Sequence, residues 1–128
     1  VIVTTVERTT RTFRDGAAQA ASRSLARRGF FFSETEAVDH VRLAAGAEIG
    51  PRGRRGTEEI WYVASGDGHL LHPDGTAAGH LHPGALAACS LNSDTRLRAG
   101  AGGMELVLIA VAPRHLTAGM PPRLPVAS

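Results

Sequence analysis

From residue 37 onward, apolar and polar positions alternate in short runs separated by glycine, which is the period-two signature of half-buried strands. AVDHVRLAAG (37–46) alternates loosely and ends in a glycine turn. EEIWYVASG (58–66) predicts a strong strand, followed across an expected tight turn at Asp67-Gly68 by GHLLHPDG (68–75). GHLHPGALAACSLNS (79–93) reads as a strand pair interrupted by Pro83-Gly84. TRLRAG (95–100) and MELVLIAVAP (104–113) complete the set. Within the strand at 58–66, Glu59, Trp61 and Val63 point one way and Ile60, Tyr62 and Ala64 the other. Many short strands with glycine-rich turns make the chain all-β, a sandwich or a double-sheet barrel.

The flanks read differently. VIVTTV, within residues 1–12, is β-branched and suits an edge or exchanged strand. DGAAQAASRSLARR (15–28) is rich in alanine and predicts a short helix, with Leu25 as its one large apolar anchor. The FFF run at 30–32 is expected to be buried or packed against a partner. The expected organisation is therefore an N-terminal arm over 1–36, a body over 37–113 and a proline-containing tail over 114–128, with no internal repeat.

Composition narrows the function classes. With 128 residues, 43% of them hydrophobic, the chain suits one domain with a core of its own. No run has the length and apolarity of a membrane span, and VIVTTVERTTRTF lacks the pattern of a secretory signal. A single cysteine, Cys89, excludes an internal disulfide and suits a reducing compartment, so a cytoplasmic location is expected. Every basic residue is arginine, which removes lysine Schiff-base chemistry. Residues 1–28 hold six arginines against Glu7 and Asp15, a local charge of +4, but one aromatic and no recognisable motif argue against nucleic acid as a partner. No glycine-rich loop cradles a phosphate, and no sequence context marks an activated serine.

The stretch from Gly46 to Gly68 resembles the first motif of the cupin family. Gly46 fits the opening glycine, Glu59 the glutamate, and Gly66 the closing glycine seven residues on. The motif's two histidine positions fall on Arg52 and Arg54. The second motif begins near Gly84, passes Ser90 and Asn92, reaches its histidine position at Thr95, and ends near Ala99. The resemblance spans roughly residues 37–112 and implies a double-stranded β-helix, a jelly-roll cupin barrel with an N-terminal arm. It also implies a homodimer formed by strand exchange. Of the four ligand positions it implies, only Glu59 keeps a metal-binding residue, and an adjacent arginine would oppose a cation, so no metal and no other cofactor is expected there.

By the same likeness Glu59, Arg52 and Arg54 point into the barrel as catalytic residues, while Trp61, Val63, Cys89, Thr95, Leu97 and Met104 line a substrate pocket. Two guanidinium groups and one carboxylate ask for a small organic ligand that is anionic or conjugated. Glu59 could pair with Arg54, which would keep it ionised, or have its pKa raised in an apolar pocket; these roles compete. The resemblance tilts the reading towards a metal-independent cyclase, isomerase or dehydratase of natural-product assembly, with a polyketide-like substrate.

Plainer readings stand beside each of these. PRGRRG could be a solvated basic loop, Glu59 one of two exposed strand-end carboxylates, Trp61 and Cys89 plain core, and Thr95 a strand residue. A non-enzymatic binding or sensor protein would use the same pocket, and a structural protein would fill it with side chains. A further alternative is a metal-dependent oxygenase or isomerase with displaced ligands from His69, His72, His80 and His82, which flank the Pro73–Gly75 turn. His40 and His115 look incidental.

Overall fold

The computed structural model describes residues 3–5, 11–15, 18–30, 34–50, 57–90 and 94–122. These form β1 (Arg11–Asp15), β2 (Ala18–Arg27), a 3₁₀ turn (Arg28–Phe30), β3 (Thr35–Leu43), β4 (Glu48–Ile49), β5 (Glu58–Leu71), β6 (Ala77–Leu81), β7 (Leu86–Cys89), β8 (Arg96–Val111) and a one-turn helix α1 (Arg114–Thr117). The strands make a single sheet of order β1-β2-β3-β8-β5-β6, with β4 also paired to β8 and β7 to β5. Every pairing is antiparallel.

Two long strands organise everything else. The first part of β5 pairs with β7 and its last part with β6, while its other edge runs along β8 throughout. On β8, residues 104–111 take β3 and residues 97–98 take β4. The sheet thus has an upper half (β1, β2, β3, β7 and the adjoining parts of β5 and β8) and a lower half (β4, β6 and the remainder of β5 and β8). The turn expected at Asp67-Gly68 and the break expected between residues 100 and 104 are not chain reversals. Both are bulged bends within continuous strands, set opposite each other where the β5–β8 register shifts at Val63/Ser65 and Gly66/Gly68.

Glycine makes that bend possible. Gly66 has φ +76° and Gly103 φ +74°, a region that L side chains rarely adopt. A β-carbon on Gly66 would strike the Gly103 carbonyl oxygen, and one on Gly103 would approach the Leu43 carbonyl oxygen at 2.6 Å. The backbones therefore cross where no side chain fits.

The bend brings the two halves together over one core. Ala20, Val41, Leu43, Trp61, Val63, Leu106 and Leu108 from the upper half join Ala47, Ile49, Leu81, Leu97 and Ala99 from the lower half in one buried cluster. Each fully buried aliphatic side chain there contributes about 1.5–3 kcal/mol. This packing corrects the expectation of a closed barrel. The sheet is open: its path ends at β1 on one side and β6 on the other, and those strands do not pair. The apolar faces are covered by bending one sheet over itself, so burial does not require the end strands to hydrogen-bond.

The segment predicted as a short helix is instead β2. Its alanines favour a helix locally, but pairing with β1 on one edge and β3 on the other satisfies its backbone and outweighs that preference. Of the early arm, Val3–Thr5 are described and are not a strand. The Thr5 carbonyl accepts a hydrogen bond from Arg23 Nε at 3.2 Å. Phe30 is part-exposed, whereas Phe31 and Phe32 lie outside the described residues. Arg28 Nη1 lies 2.9 Å from Met120 Sδ, which ties the segment after α1 to the 3₁₀ turn. Among the described residues, no helix is long and apolar enough to cross a membrane.

Candidate functional site

Strand β5 presents alternate side chains to the core, as its period-two pattern requires. Glu59 is 4% exposed, Trp61 0% and Val63 1%, while Tyr62 between them is 43% exposed. Among the described residues, Glu59 is one of three buried polar ones, with Ser22 and His40. Its neighbours in register are Cys89 on β7 and Ala110 on β8. Trp61 lies between Ala87 and Leu108, one inward position further along.

Of the residues expected to line a pocket, Trp61, Val63, Cys89, Leu97 and Met104 meet in one buried cluster. Thr95 is half-buried, just before β8. Arg52 and Arg54 lie outside the described residues.

Two features of this interior bear on chemistry. Burial, with the charge of Glu59 adding to it, pushes the Cys89 thiol up to about 11. At neutral pH Cys89 is therefore a protonated, apolar wall group and not an activated nucleophile. The second feature is Trp61 Nε1, a buried donor with no hydrogen-bond partner among the described residues. Leaving such a group unpaired costs about 1–3 kcal/mol, so a protein that keeps it forgoes stability at this point.

Register also brings in residues that sequence reasoning passed over. Asp39 of β3 lies opposite Leu108 of β8, which in turn lies opposite Trp61, so the three share the inward face. Strand spacing puts the Asp39 and Trp61 backbones about 10 Å apart. Asp39 is held by the guanidinium of Arg27, which is half-exposed at the edge of that face. The one sequence signal was the alternation of Asp39 with Val38 and His40; its neighbours across the sheet emerge only from the register. His40 is also not incidental. It is buried, facing away from the core cluster, with Nε2 3.1 Å from Glu105 Oε2.

The histidine group lies elsewhere. His69 opposes His80 across β5 and β6 with ring centroids 5.1 Å apart, and His80 stacks loosely towards His82 at 6.1 Å. His80 Nε2 lies 3.2 Å from Asp67 Oδ2. His69, His72, His80 and His82 are all exposed. His69 is level with Arg98, which donates two hydrogen bonds to Glu48 Oε1 at 2.9 and 2.6 Å. Among the described residues, no group of three or more His, Cys, Asp or Glu side chains could hold a metal. The histidines that the sequence offers as displaced ligands lie along a solvated face beside a turn and a bulge, and do not make such a group among the described residues. At the positions that the cupin likeness assigns to metal ligands, Arg52, Arg54 and Thr95 accompany Glu59, a donor set that does not fit a divalent cation.

Comparison with solved structures identifies the architecture. A predicted oxalate decarboxylase from Thermotoga maritima superposes with a TM-score of 0.69 at 15% identity, covering 88% of this chain and 100% of its own. An RmlC-like cupin from Shewanella frigidimarina gives 0.62 at 20% identity over 88% and 91% of the two chains. The fold is that of the cupins, with its sheet left open. A cupin domain of an XRE family transcriptional regulator from Enterobacter cloacae gives 0.55 at 17% identity, covering 74% of this chain and 98% of its own. These cupins range from a predicted enzyme to a regulator domain, so the shared fold leaves the chemistry to the site. No protein-family model and no curated protein matches the chain.

Proposed function

We propose that this cupin-fold protein is a metal-independent cyclase, isomerase or dehydratase of natural-product assembly, acting on a small, conjugated, partly anionic, polyketide-like substrate. The observation that carries this reading is the burial of Glu59 against Trp61 and Cys89 on the apolar inward face of β5. Keeping a carboxylate largely out of water there is costly, and proton transfer is a chemistry that such a carboxylate supports. Glu59 takes the proton from an activated C–H, the electron pair moves onto the adjoining carbonyl oxygen, and the proton returns at the new position. Arg52 and Arg54 stabilise the oxygen as it becomes negative. Trp61, Val63, Leu97 and Met104 hold the substrate in one conformation, which supplies much of the acceleration. Thr95 orients the polar end, and Cys89 stays neutral as part of the wall. The protein acts as a cytoplasmic homodimer in this proposal.

The test is hydrogen–deuterium exchange at the carbon next to the ketone of β-benzoylpropionate, an anionic, conjugated carbonyl compound, followed by proton NMR. The wild-type protein is expected to accelerate exchange, and Glu59→Gln to slow it by about 10²–10⁴-fold while binding persists. Binding without exchange in the wild type would make the protein a carrier or sensor instead.

A further inference from the structure

Trp61 combines three properties that a plain core residue does not need together. Its side chain is fully buried, its indole N–H has no acceptor among the described residues, and it occupies the inward position next to Glu59 on the same strand. Phenylalanine would fill much of the same space without leaving a donor unpaired, so the N–H has a use outside the packing of this chain. An indole nitrogen donates and cannot accept, and it carries no charge. The group it awaits is therefore an acceptor, and the oxygen of a carbonyl compound whose neighbouring carbon offers Glu59 an acidic hydrogen suits both side chains. Glu59 lies two residues away, about 7 Å along the strand, within the span of one small molecule.

We propose that Trp61 is a specificity-determining residue whose N–H hydrogen-bonds a carbonyl oxygen of the ligand held beside Glu59. The proposal rests on the small-molecule reading above and deepens it. The ligand is a carbonyl compound whose oxygen is anchored at Trp61 while an acidic hydrogen faces Glu59. The same contact would favour a ketone over the matching hydrocarbon, because the hydrocarbon leaves the buried donor unpaired.

Trp61 is the chain's one tryptophan, so β-benzothienylalanine supplied in place of tryptophan enters at this position alone. That residue keeps the bicyclic shape and replaces the N–H with sulfur. Binding of β-benzoylpropionate and of γ-phenylbutyrate, which differs by lacking the ketone oxygen, is measured by calorimetry for the wild type, the substituted protein, Trp61→Phe and Glu59→Gln. The wild type is expected to prefer the ketone by about 5- to 10-fold. The substituted protein and Trp61→Phe should lose that preference, Glu59→Gln should keep it, and the melting temperature of the substituted protein should match or exceed that of the wild type. Equal binding of both compounds to the wild type overturns the proposal while leaving the proton-transfer reading intact. A lowered melting temperature on loss of the N–H alone also overturns it, since the donor then serves the fold. Failure of the wild type to bind either compound overturns both readings together.

Discussion

The two halves of β5 put their polar side chains in opposite surroundings. In the upper half Glu59 is buried against Trp61 and Cys89 on the inward face; in the lower half His69 stands exposed among His80, His82, Asp67 and Arg98. Both groups offer titratable side chains at short spacing. Only the first is costly to keep. A solvated histidine trades water for a neighbour at almost no net gain, whereas a buried carboxylate or an unpaired indole N–H must be maintained against its desolvation. Chemistry is therefore better sought where polarity is expensive than where polar residues are numerous.

The comparison depends on the bend that separates the halves, and the largest expected effect comes from breaking it. Gly66→Ala forces a β-carbon into the Gly103 carbonyl at φ +76°. A loss of about 3 kcal/mol or more is expected in denaturant unfolding, or failure to accumulate folded protein. Gly84→Ala is the matched control: its φ is +87°, yet its β-carbon meets nothing within 4 Å. It should lose only about 1–2 kcal/mol, the cost of the left-handed backbone alone.

A middle-sized effect probes the buried side. Cys89 releases its proton near its ordinary value of 9.0 when unfolded and near about 11 when folded. Between those values the folded state binds more protons, so this contribution to stability is complete below pH 9 and is lost as pH rises towards 11. The loss should reach about 2 kcal/mol, and Cys89→Ala should flatten this part of the stability curve. An unchanged slope in that variant would mean that the thiol is better solvated than its position implies.

The smallest effect is expected on the solvated side. His69→Ala and His80→Ala should each change stability by less than about 0.5 kcal/mol and leave binding of β-benzoylpropionate unchanged. A larger change in either would make the outward row more than a solvated face.

What the sequence showed and what it hid divide along the same line between local and non-local information. That Glu59, Trp61 and Val63 share one face follows from period two, a property of the strand itself; the cupin likeness supplies its inward direction, and the structure buries all three. Asp67-Gly68 reads as a tight turn, and residues 100–104 as a break between strands, because glycine permits a turn and a bulged bend equally; only pairing along β8 decides between them. Alanine content in residues 15–28 is a local helix signal, while the edges of β1 and β3 that override it lie elsewhere in the chain. Closure of the barrel was likewise inferred from the family likeness of the motifs, although it depends on whether the end strands meet. Asp39 and its Arg27 partner join the inward face through the β2–β3–β8 register, which strand spacing in sequence does not encode.

The central place of β8 bears on how the chain reaches this state. β3, β4 and β5 are all synthesised before residues 96–111, and each needs those residues along one edge. Until they emerge, the local hairpins β1–β2 and β5–β6 can form, but Val41, Trp61 and Ile49 have no Leu97, Leu106 or Leu108 to pack against. Closing those long loops carries its entropy cost before the contacts return it, which puts the protein among slow-folding, high-contact-order sheets. Until the last long strand arrives, the nascent chain therefore leaves the β8-facing edges of β3, β4 and β5 unpaired, the kind of edge on which other chains can add.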